Sequence, residues 1–251
     1  MAEAPVLLAH LSDLHVDGSE RNLARARRAV DYLAGLPGRL DAVLVTGDIA
    51  DSGSERQYEE VAGLLAPLAD RAEVLVCPGN HDHRATFRAG LPGSWDSEPD
   101  DPLDQARTVS DLTIAVCDST IAGRNEGRLG DATLDWLDGV LGAAGGPALV
   151  ALHHPPAPIG IPYLDGMRLQ EPERLAAVIG RHPNVVGVLC GHAHAAVASS
   201  FAGVPLRVAP GVTSRAMLPW ESDELMDETA PPALAFHRYA DGALTTYVRS
   251  V

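Results

Sequence analysis

The sequence has few basic residues and few cysteines, and each scarcity excludes a class of protein. Its 251 residues contain 19 Lys and Arg against 34 Asp and Glu, a formal charge of −15. A protein that binds phosphate backbones needs a basic face, so this composition argues against a nucleic-acid polymer as partner. The three cysteines, Cys77, Cys117 and Cys190, are isolated and odd in number. They predict small buried side chains in a reducing cytoplasm rather than a disulfide framework.

Long apolar runs are also lacking. No run approaches the roughly 20 residues of a membrane-spanning helix, which argues against a membrane partner. The apolar stretch 6–11 is too short for a signal peptide, and no positively charged region precedes it. Together with the cysteines, these features predict a cytoplasmic localisation.

Short apolar runs alternate with segments of helical spacing. The runs 6–11, 41–49 and 73–78 are separated by helical patterns at 21–36 and 55–68, the latter with Ser54 as its N-cap, which is typical of a parallel sheet covered by helices. The same pattern continues with strands at 112–117, 148–152 and 185–190, helices at 131–141 and 173–181, and alternating, antiparallel runs after residue 196. We interpret 84–111 as loop-rich, find no linker, and predict one domain over residues 1–251.

Five strand-like runs are each followed by side chains that bind metals. Asp, Asn and His supply the oxygen and nitrogen donors that first-row divalent metals prefer. Residues just past the carboxyl ends of strands line the ligand crevice of an α/β sheet, so distant segments can converge. The i and i+2 spacing of Asp13 with His15, and of His192 with His194, places each pair on one face of an extended segment. One such segment could be a turn or a structural histidine, but five in order predict a two-metal hydrolytic site. The segments are Asp13-Leu-His15, Gly47-Asp48, Gly79-Asn80-His81-Asp82, His153-His154-Pro155 and Gly191-His192-Ala193-His194.

This ordered set resembles the calcineurin-like metallophosphoesterase superfamily over nearly the whole chain. The resemblance implies an α/β fold, a metallophosphoesterase β-sandwich with two mixed sheets flanked by helices in four layers, α-β-β-α. It also implies a ligand set in which Asp48 bridges two metal ions, while His154 is a weaker alternative to His153. The other implied ligands are Asp13, His15 and His194 for the first metal, and Asn80, His153 and His192 for the second.

The same resemblance implies a mechanism. Two metal ions, with Mn²⁺ or Fe favoured and Zn²⁺ or Co²⁺ also fitting, supply a bridging hydroxide for in-line attack on phosphorus. His81 is expected to face the leaving-group oxygen, as general acid or as a positive charge. Asp82 is expected to orient His81 through a hydrogen bond.

Two segments resemble the bacterial branch of class III cyclic-nucleotide and glycerol phosphodiesterases. They are His153-His-Pro-Pro with the following residues 159–165, and Gly79-Asn-His-Asp followed by Arg84. In that branch the loop after His-His-Pro-Pro overhangs the metals, so the resemblance implies substrate contacts by Arg84, Tyr163, Met167 and Arg168. Few cations lie near the motifs, which favours diesters because they carry less negative charge than monoesters. We therefore predict hydrolysis of small phosphodiesters such as 3′,5′-cyclic nucleotides.

Other functions remain open at this stage. A phosphomonoesterase acting on a small metabolite or a phosphoprotein would use the same ligands. A non-catalytic scaffold of this fold typically lacks site histidines, whereas this chain has them all, and a nuclease usually carries basic elements that it lacks. Cyclic AMP, glycerophosphodiesters and 2′,3′-cyclic nucleotides all fit the predicted substrate class. The sequence is also compatible with a homodimer. The acidic segment 219–232 is a candidate lid or dimer contact, with a surface loop as the alternative.

Overall fold

Two mixed β-sheets and six helices form the frame of the molecule. The computed structural model describes residues 5–91, 93, 95, 98 and 101–251. The helices are α1 (Glu20–Ala34), α2 (Glu55–Ala69), α3 (Arg84–Gly90), α4 (Asp131–Ala143), α5 (Pro162–Asp165) and α6 (Pro172–Arg181). The strands are β1 (Val6–Leu11), β2 (Ala42–Thr46), β3 (Glu73–Cys77), β4 (Gln105–Val109), β5 (Leu112–Cys117), β6 (Ala148–Leu152), β7 (Val185–Cys190), β8 (Val197–Phe201), β9 (Val204–Val208), β10 (Arg215–Ala216), β11 (Met226–Asp227), β12 (Ala233–Ala240) and β13 (Ala243–Ser250).

Each large sheet combines parallel and antiparallel strands. The first has the order β13-β12-β1-β2-β3, with β1, β2 and β3 parallel. The second has the order β4-β5-β6-β7-β9-β8, with β5, β6, β7 and β9 parallel. Since parallel strands end at the same edge of a sheet, the turns after them can form one site.

Alternating side chains on the strands build a four-layer packing. Leu44 of β2 and Leu149 of β6 belong to the apolar cluster between the two sheets. Their neighbours point the other way: Val43 packs with α1 and α2, and Val150 packs with α4 and α6. The α-β-β-α arrangement expected from the sequence is confirmed.

Local signals place most of the elements. Ser19 Oγ accepts a hydrogen bond from the Asn22 backbone at the start of α1, and α2 begins after Ser54 as expected. None of the described helices has the length and hydropathy that a bilayer crossing requires. All three cysteines are buried and unpaired.

The segment interpreted as loop-rich, 84–111, contains α3 and β4. Helix α3 has seven residues, too few to show a helical repeat. Strand β4 is a margin strand with a polar sequence, QARTV, and forms only through its antiparallel pairing with β5. Residues 92, 94, 96, 97, 99 and 100 of this segment lie outside the described residues.

Candidate metal centre

All five motifs lie at the carboxyl ends of parallel strands. Because both sheets contribute, the site forms where their edges meet, as the sequence pattern predicted. The ligands follow their strands in this way: Asp13 and His15 after β1, Asp48 after β2, Asn80 after β3, His153 after β6, and His192 and His194 after β7.

The turns that carry five of these side chains have left-handed backbone. The φ angles are 56° at Asp13, 40° at His15, 47° at Asp48, 68° at His192 and 46° at His194. The i and i+2 pairs therefore converge through left-handed turns and not through the extended segments that we expected. A non-glycine residue in this region costs about 1–3 kcal/mol, and such residues cluster at functional sites.

Two glycines allow neighbouring turns to approach closely. A Cβ on Gly79 would overlap the backbone and carboxylate of Asp48, and a Cβ on Gly191 would overlap Ser12 Oγ and the Thr46 carbonyl. Any other residue would force the turns apart.

The first group of predicted ligands contains two histidine nitrogens that face each other. His15 Nε2 and His194 Nε2 are 3.2 Å apart, and Asp13 Oδ1 lies 3.5 Å from His194 Nε2. His15 Nδ1 donates to Asp51 Oδ1 at 3.1 Å, so Nε2 of a neutral His15 ring is a lone-pair acceptor. His194 Nδ1 lies 2.8 Å from the Ser214 hydroxyl and 3.3 Å from the Ser214 carbonyl.

The second ligand group is built in the same way. His153 Nδ1 donates to the Thr46 carbonyl at 2.8 Å, which leaves Nε2 as an acceptor. That Nε2 lies 3.2 Å from Asn80 Oδ1, 3.2 Å from His192 Nδ1 and 3.4 Å from Asp48 Oδ2. The same Asp48 oxygen is 3.7 Å from His15 Nε2 of the first group. Asp48 therefore lies between the two groups, as a bridging ligand would.

This convergence of acceptors fits two metal ions. Buried acceptors that face each other need a cation between them, and Asp13 Oδ1 is buried with no hydrogen-bond partner in the described part of the chain. Mixed imidazole, carboxylate and amide ligation suits Mn²⁺, Fe, Zn²⁺ or Co²⁺.

The charges at the centre favour positive occupants. Burial opposes the charged form of His153, yet Asp48 raises the pKa of His153 to about 9. Burial likewise opposes a charge on His15, but the hydrogen bond to Asp51 and the charge of Asp48 raise its pKa to about 9. His192 has its pKa lowered to about 3, by burial and by His153. Metal ions would displace the protons on these ligands.

His81 lies at this centre, but its partner is not the one predicted. His81 Nδ1 donates to the Asp51 carbonyl at 2.8 Å and lies 3.6 Å from Asp51 Oδ1. The Asp82 carboxylate instead accepts hydrogen bonds from three backbone N–H groups and from the Tyr58 hydroxyl. Burial, and then the charge of Asp48, raise the pKa of Asp82. The expected orientation of His81 by Asp82 is replaced by orientation through Asp51.

Asp51 is the functional residue that the sequence reasoning missed. Its carboxylate holds His15 and its carbonyl holds His81, so it touches both a metal ligand and the predicted acid. The available signal was its position three residues after Asp48, in the same turn.

His154 has a separate role from His153. Its ring nitrogens lie 2.8 Å from Ser119 Oγ and 3.2 Å from the Asn125 carbonyl, and the side chain is fully buried. Burial and the charge of His153 lower the pKa of His154 well below 6.5. A ring nitrogen of His154 lies within 4.8 Å of ring nitrogens of His153 and His192, but both of its nitrogens are engaged by protein, which favours a supporting role over metal binding.

An open cavity of about 270 Å³ lies over the predicted ligands. Tyr163 and Met167, two of the expected substrate contacts, line it. Arg84 and Arg168 are not among the described residues that line it. The guanidinium of Arg84 is bound to Asp118 Oδ2 at 2.6 Å, and Arg168 donates to the Asp165 carbonyl at 2.7 Å. The acidic segment 219–232, the candidate lid or dimer contact, contributes Met226 and Glu228 to the cavity lining. The cavity is also lined by Arg21, Asn22, Thr213 and Ser214.

A sequence model of the calcineurin-like phosphoesterases matches residues 6–196. The chain belongs to this family. It is 30% identical to the glycerophosphodiester phosphodiesterase GpdQ of Enterobacter lignolyticus, over 98% of this chain and 91% of that protein. It is 32% identical to the 3′,5′-cyclic adenosine monophosphate phosphodiesterase CpdA of Pseudomonas aeruginosa, over 99% and 91%. The structure of a dimetal phosphatase from Danio rerio superposes with a TM-score of 0.72 at 15% identity, over 98% of both chains. The family and the fold expected from the motifs are therefore confirmed.

Proposed function

We propose that this protein is a binuclear-metal-dependent phosphodiesterase that hydrolyses small phosphodiesters such as 3′,5′-cyclic nucleotides. The observation that carries the proposal is the convergence of two acceptor groups on Asp48 beneath an open cavity. Two bound metal ions would supply Lewis acidity for the phosphoryl oxygens and a hydroxide near neutral pH. Asp13, His15 and His194 would hold one ion, Asn80, His153 and His192 the other, and Asp48 both.

The remaining steps belong to side chains that are not ligands. Since Nδ1 of His81 is engaged by the Asp51 carbonyl, Nε2 is the nitrogen left to meet a leaving-group oxygen. His81 is 41% exposed and lines the cavity, so a substrate can reach it. We infer that it protonates the departing alkoxide or stabilises its charge. Tyr163 and Met167 also line the cavity and would contact the leaving group.

The named relatives support diesters as the substrate class. The Enterobacter protein is named a glycerophosphodiester phosphodiesterase and the Pseudomonas protein a cyclic adenosine monophosphate phosphodiesterase. Both act on a phosphate with two substituents and one negative charge. A phosphomonoesterase remains the alternative, because the superposed Danio rerio structure is that of a phosphatase.

Hydrolysis of bis-p-nitrophenyl phosphate and of p-nitrophenyl phosphate tests the proposal. The protein is stripped with EDTA and reconstituted with Mn²⁺, and the stripped protein and Asp48→Asn are the controls. We expect a metal-dependent preference for the diester that both controls lose, followed by turnover of 3′,5′-cyclic AMP. A monoester preference would identify a phosphatase instead. Inactivity on both substrates with metals bound would contradict an enzymatic role on small phosphoesters.

A further inference from the structure

The cavity wall contains an ion pair that the mechanism above does not use. Arg21 Nη2 lies 3.5 Å from Glu228 Oε2, and the same nitrogen donates to the Glu228 carbonyl at 2.7 Å. Both residues line the cavity beside His194 and Met226. Among the described residues that line it, Arg21 is the only Lys or Arg.

Local structure holds Glu228 against Arg21. Strand β11 pairs with β10 immediately before Glu228, and Asp227 Oδ1 accepts from the Ala230 backbone at 3.1 Å. Arg25, one turn further along α1 than Arg21, donates to the Ala230 carbonyl. The chain on both sides of Glu228 is thus fixed, by the β10–β11 ribbon before it and by α1 after it.

Stability does not account for this pair. The side chains are 44% exposed at Arg21 and 71% exposed at Glu228, and an ion pair of this exposure contributes little to folding. The pair can, however, act electrostatically on a bound anion, because both charges line the cavity that a substrate enters. A free guanidinium there would attract a dianion more strongly than a monoanion. With Glu228 beside it, that advantage is cancelled.

We propose that Arg21 and Glu228 form a charge-cancelling pair that sets the preference for monoanionic phosphodiesters over dianionic phosphomonoesters. Glu228 offsets the guanidinium charge, so the second negative charge of a monoester gains no net attraction from the cavity wall. Arg21 in turn prevents Glu228 from repelling the diester. The proposal rests on the proposed function and names the residues that make its substrate choice.

Substitutions that remove one charge of the pair at a time test the proposal. In Glu228→Gln the charge of the guanidinium is no longer offset. The kcat/KM for p-nitrophenyl phosphate should therefore rise about three- to ten-fold, through a lower KM. The kcat/KM for bis-p-nitrophenyl phosphate should change by less than about two-fold. The dissociation constant of inorganic phosphate, measured by calorimetry on the Mn²⁺-loaded protein, should fall by a similar factor. In Arg21→Gln the monoester should lose more than the diester, because Glu228 then repels a dianion more strongly.

The double variant Arg21→Gln/Glu228→Gln separates charge cancellation from local damage. It should return the diester-to-monoester ratio close to the wild-type value, since the net charge of the wall is again unchanged. Glu59→Gln on α2 and Arg27→Gln on α1 are matched controls, because both side chains are exposed and neither lines the cavity. They make the same charge changes and should leave the ratio as it is.

The two proposals fail in different ways. A wild-type protein that does not prefer the diester would overturn the proposed function and this inference with it. A wild-type protein that prefers the diester, with the same ratio and the same phosphate affinity in Glu228→Gln, would overturn the charge-cancelling pair alone. If Arg21→Gln does not fold, Glu228→Gln still decides the outcome, because the Glu228 side chain is largely exposed.

Discussion

At the scale of single residues, the histidines of the site are sorted by which ring nitrogen the protein occupies. His15 and His153 each donate Nδ1–H to an oxygen of the chain and turn Nε2 toward the predicted metal centre, while Nδ1 of His194 lies 2.8 Å from the Ser214 hydroxyl. His81 also donates Nδ1–H to a carbonyl, but its ring is more exposed, at 41% against 12% for His15. A carbonyl or carboxylate partner of Nδ1 thus fixes the tautomer, and exposure at the cavity favours His81 as the predicted acid.

Removal of the His81 imidazole should separate these two roles. We expect His81→Ala to keep both metal ions, measured by elemental analysis, and to lower kcat by about 10²-fold because the leaving oxygen loses its proton donor. The loss should be larger for a diester with an alkyl leaving group than for bis-p-nitrophenyl phosphate, since p-nitrophenolate needs less protonation. His83→Ala is the matched control, as His83 is exposed and does not line the cavity. Turnover near the wild-type value in His81→Ala would reject the assignment.

At the scale of elements, one carboxylate joins the turn after β2 to the turn after β3. Asp82 accepts from the backbone of Ile49 at 3.1 Å, Ala50 at 3.0 Å and Gly79 at 2.8 Å, and from the Tyr58 hydroxyl at 2.8 Å. Because Asp48 precedes Ile49 and Asn80 follows Gly79, this carboxylate sets the distance between two predicted ligands. Its role is to position backbone.

Asp82→Ala should therefore act on stability first. Four buried donors would lose their acceptor, and each stranded donor costs about 1–3 kcal/mol where water cannot replace it. We expect the free energy of unfolding in urea at pH 7 to fall by about 3–5 kcal/mol, whereas Tyr58→Phe, which removes one donor, should cost about 1 kcal/mol. Any activity that remains should be reduced equally for good and poor leaving groups. A leaving-group dependence like that of His81→Ala would instead return Asp82 to the role predicted from sequence.

The elements also show what sequence could and could not supply. Each predicted ligand lies within a few residues of its own strand, so strand pattern and motif together were enough to predict the candidate metal site. Contacts between residues distant in sequence have no such local signal. Arg84 pairs with Asp118, 34 residues away, and therefore does not reach the cavity. Glu228 is brought to Arg21 by the β10–β11 ribbon and by contacts with α1, and the two-residue strands of the ribbon are too short to show a sequence period. Strand β4 was missed for a related reason, because its pairing and not its composition makes it a strand.

At the scale of the whole molecule, the site exists only when the two sheets are packed together. Asp13, Asp48 and Asn80 come from the first sheet, and His153 and His192 come from the second. A Cβ on Gly191 of the second sheet would meet Ser12 and Thr46 of the first, so the edges are in contact at the ligands. Metal binding and sheet packing therefore stabilise the same arrangement.

Behind this edge, the first sheet contains a chain of buried polar side chains. His10 Nδ1 lies 3.0 Å from His237 Nε2, His10 Nε2 lies 2.8 Å from Thr46 Oγ1, and His237 Nδ1 lies 2.9 Å from Thr246 Oγ1. Both histidines are fully buried. Burial lowers the pKa of His237 to about 3, and burial together with the charge of His237 lowers that of His10 well below 6.5. The folded protein thus keeps both rings neutral.

These neutral histidines make the fold sensitive to acid. Below a pH of about 6.5 each histidine is protonated in the unfolded chain but stays neutral in the folded chain. The stability contributed by each ring is therefore present above pH 6.5 and is lost as the pH falls toward the folded pKa. With its folded pKa of about 3, the His237 ring should lower the free energy of unfolding by about 1.4 kcal/mol per pH unit between about pH 6 and 4. His237→Gln retains an amide for the hydrogen bonds but cannot be protonated, so urea unfolding should show a slope that is smaller than the wild-type slope by this amount. Equal slopes in His237→Gln and the wild type would show that the buried pair accepts a proton in the folded state.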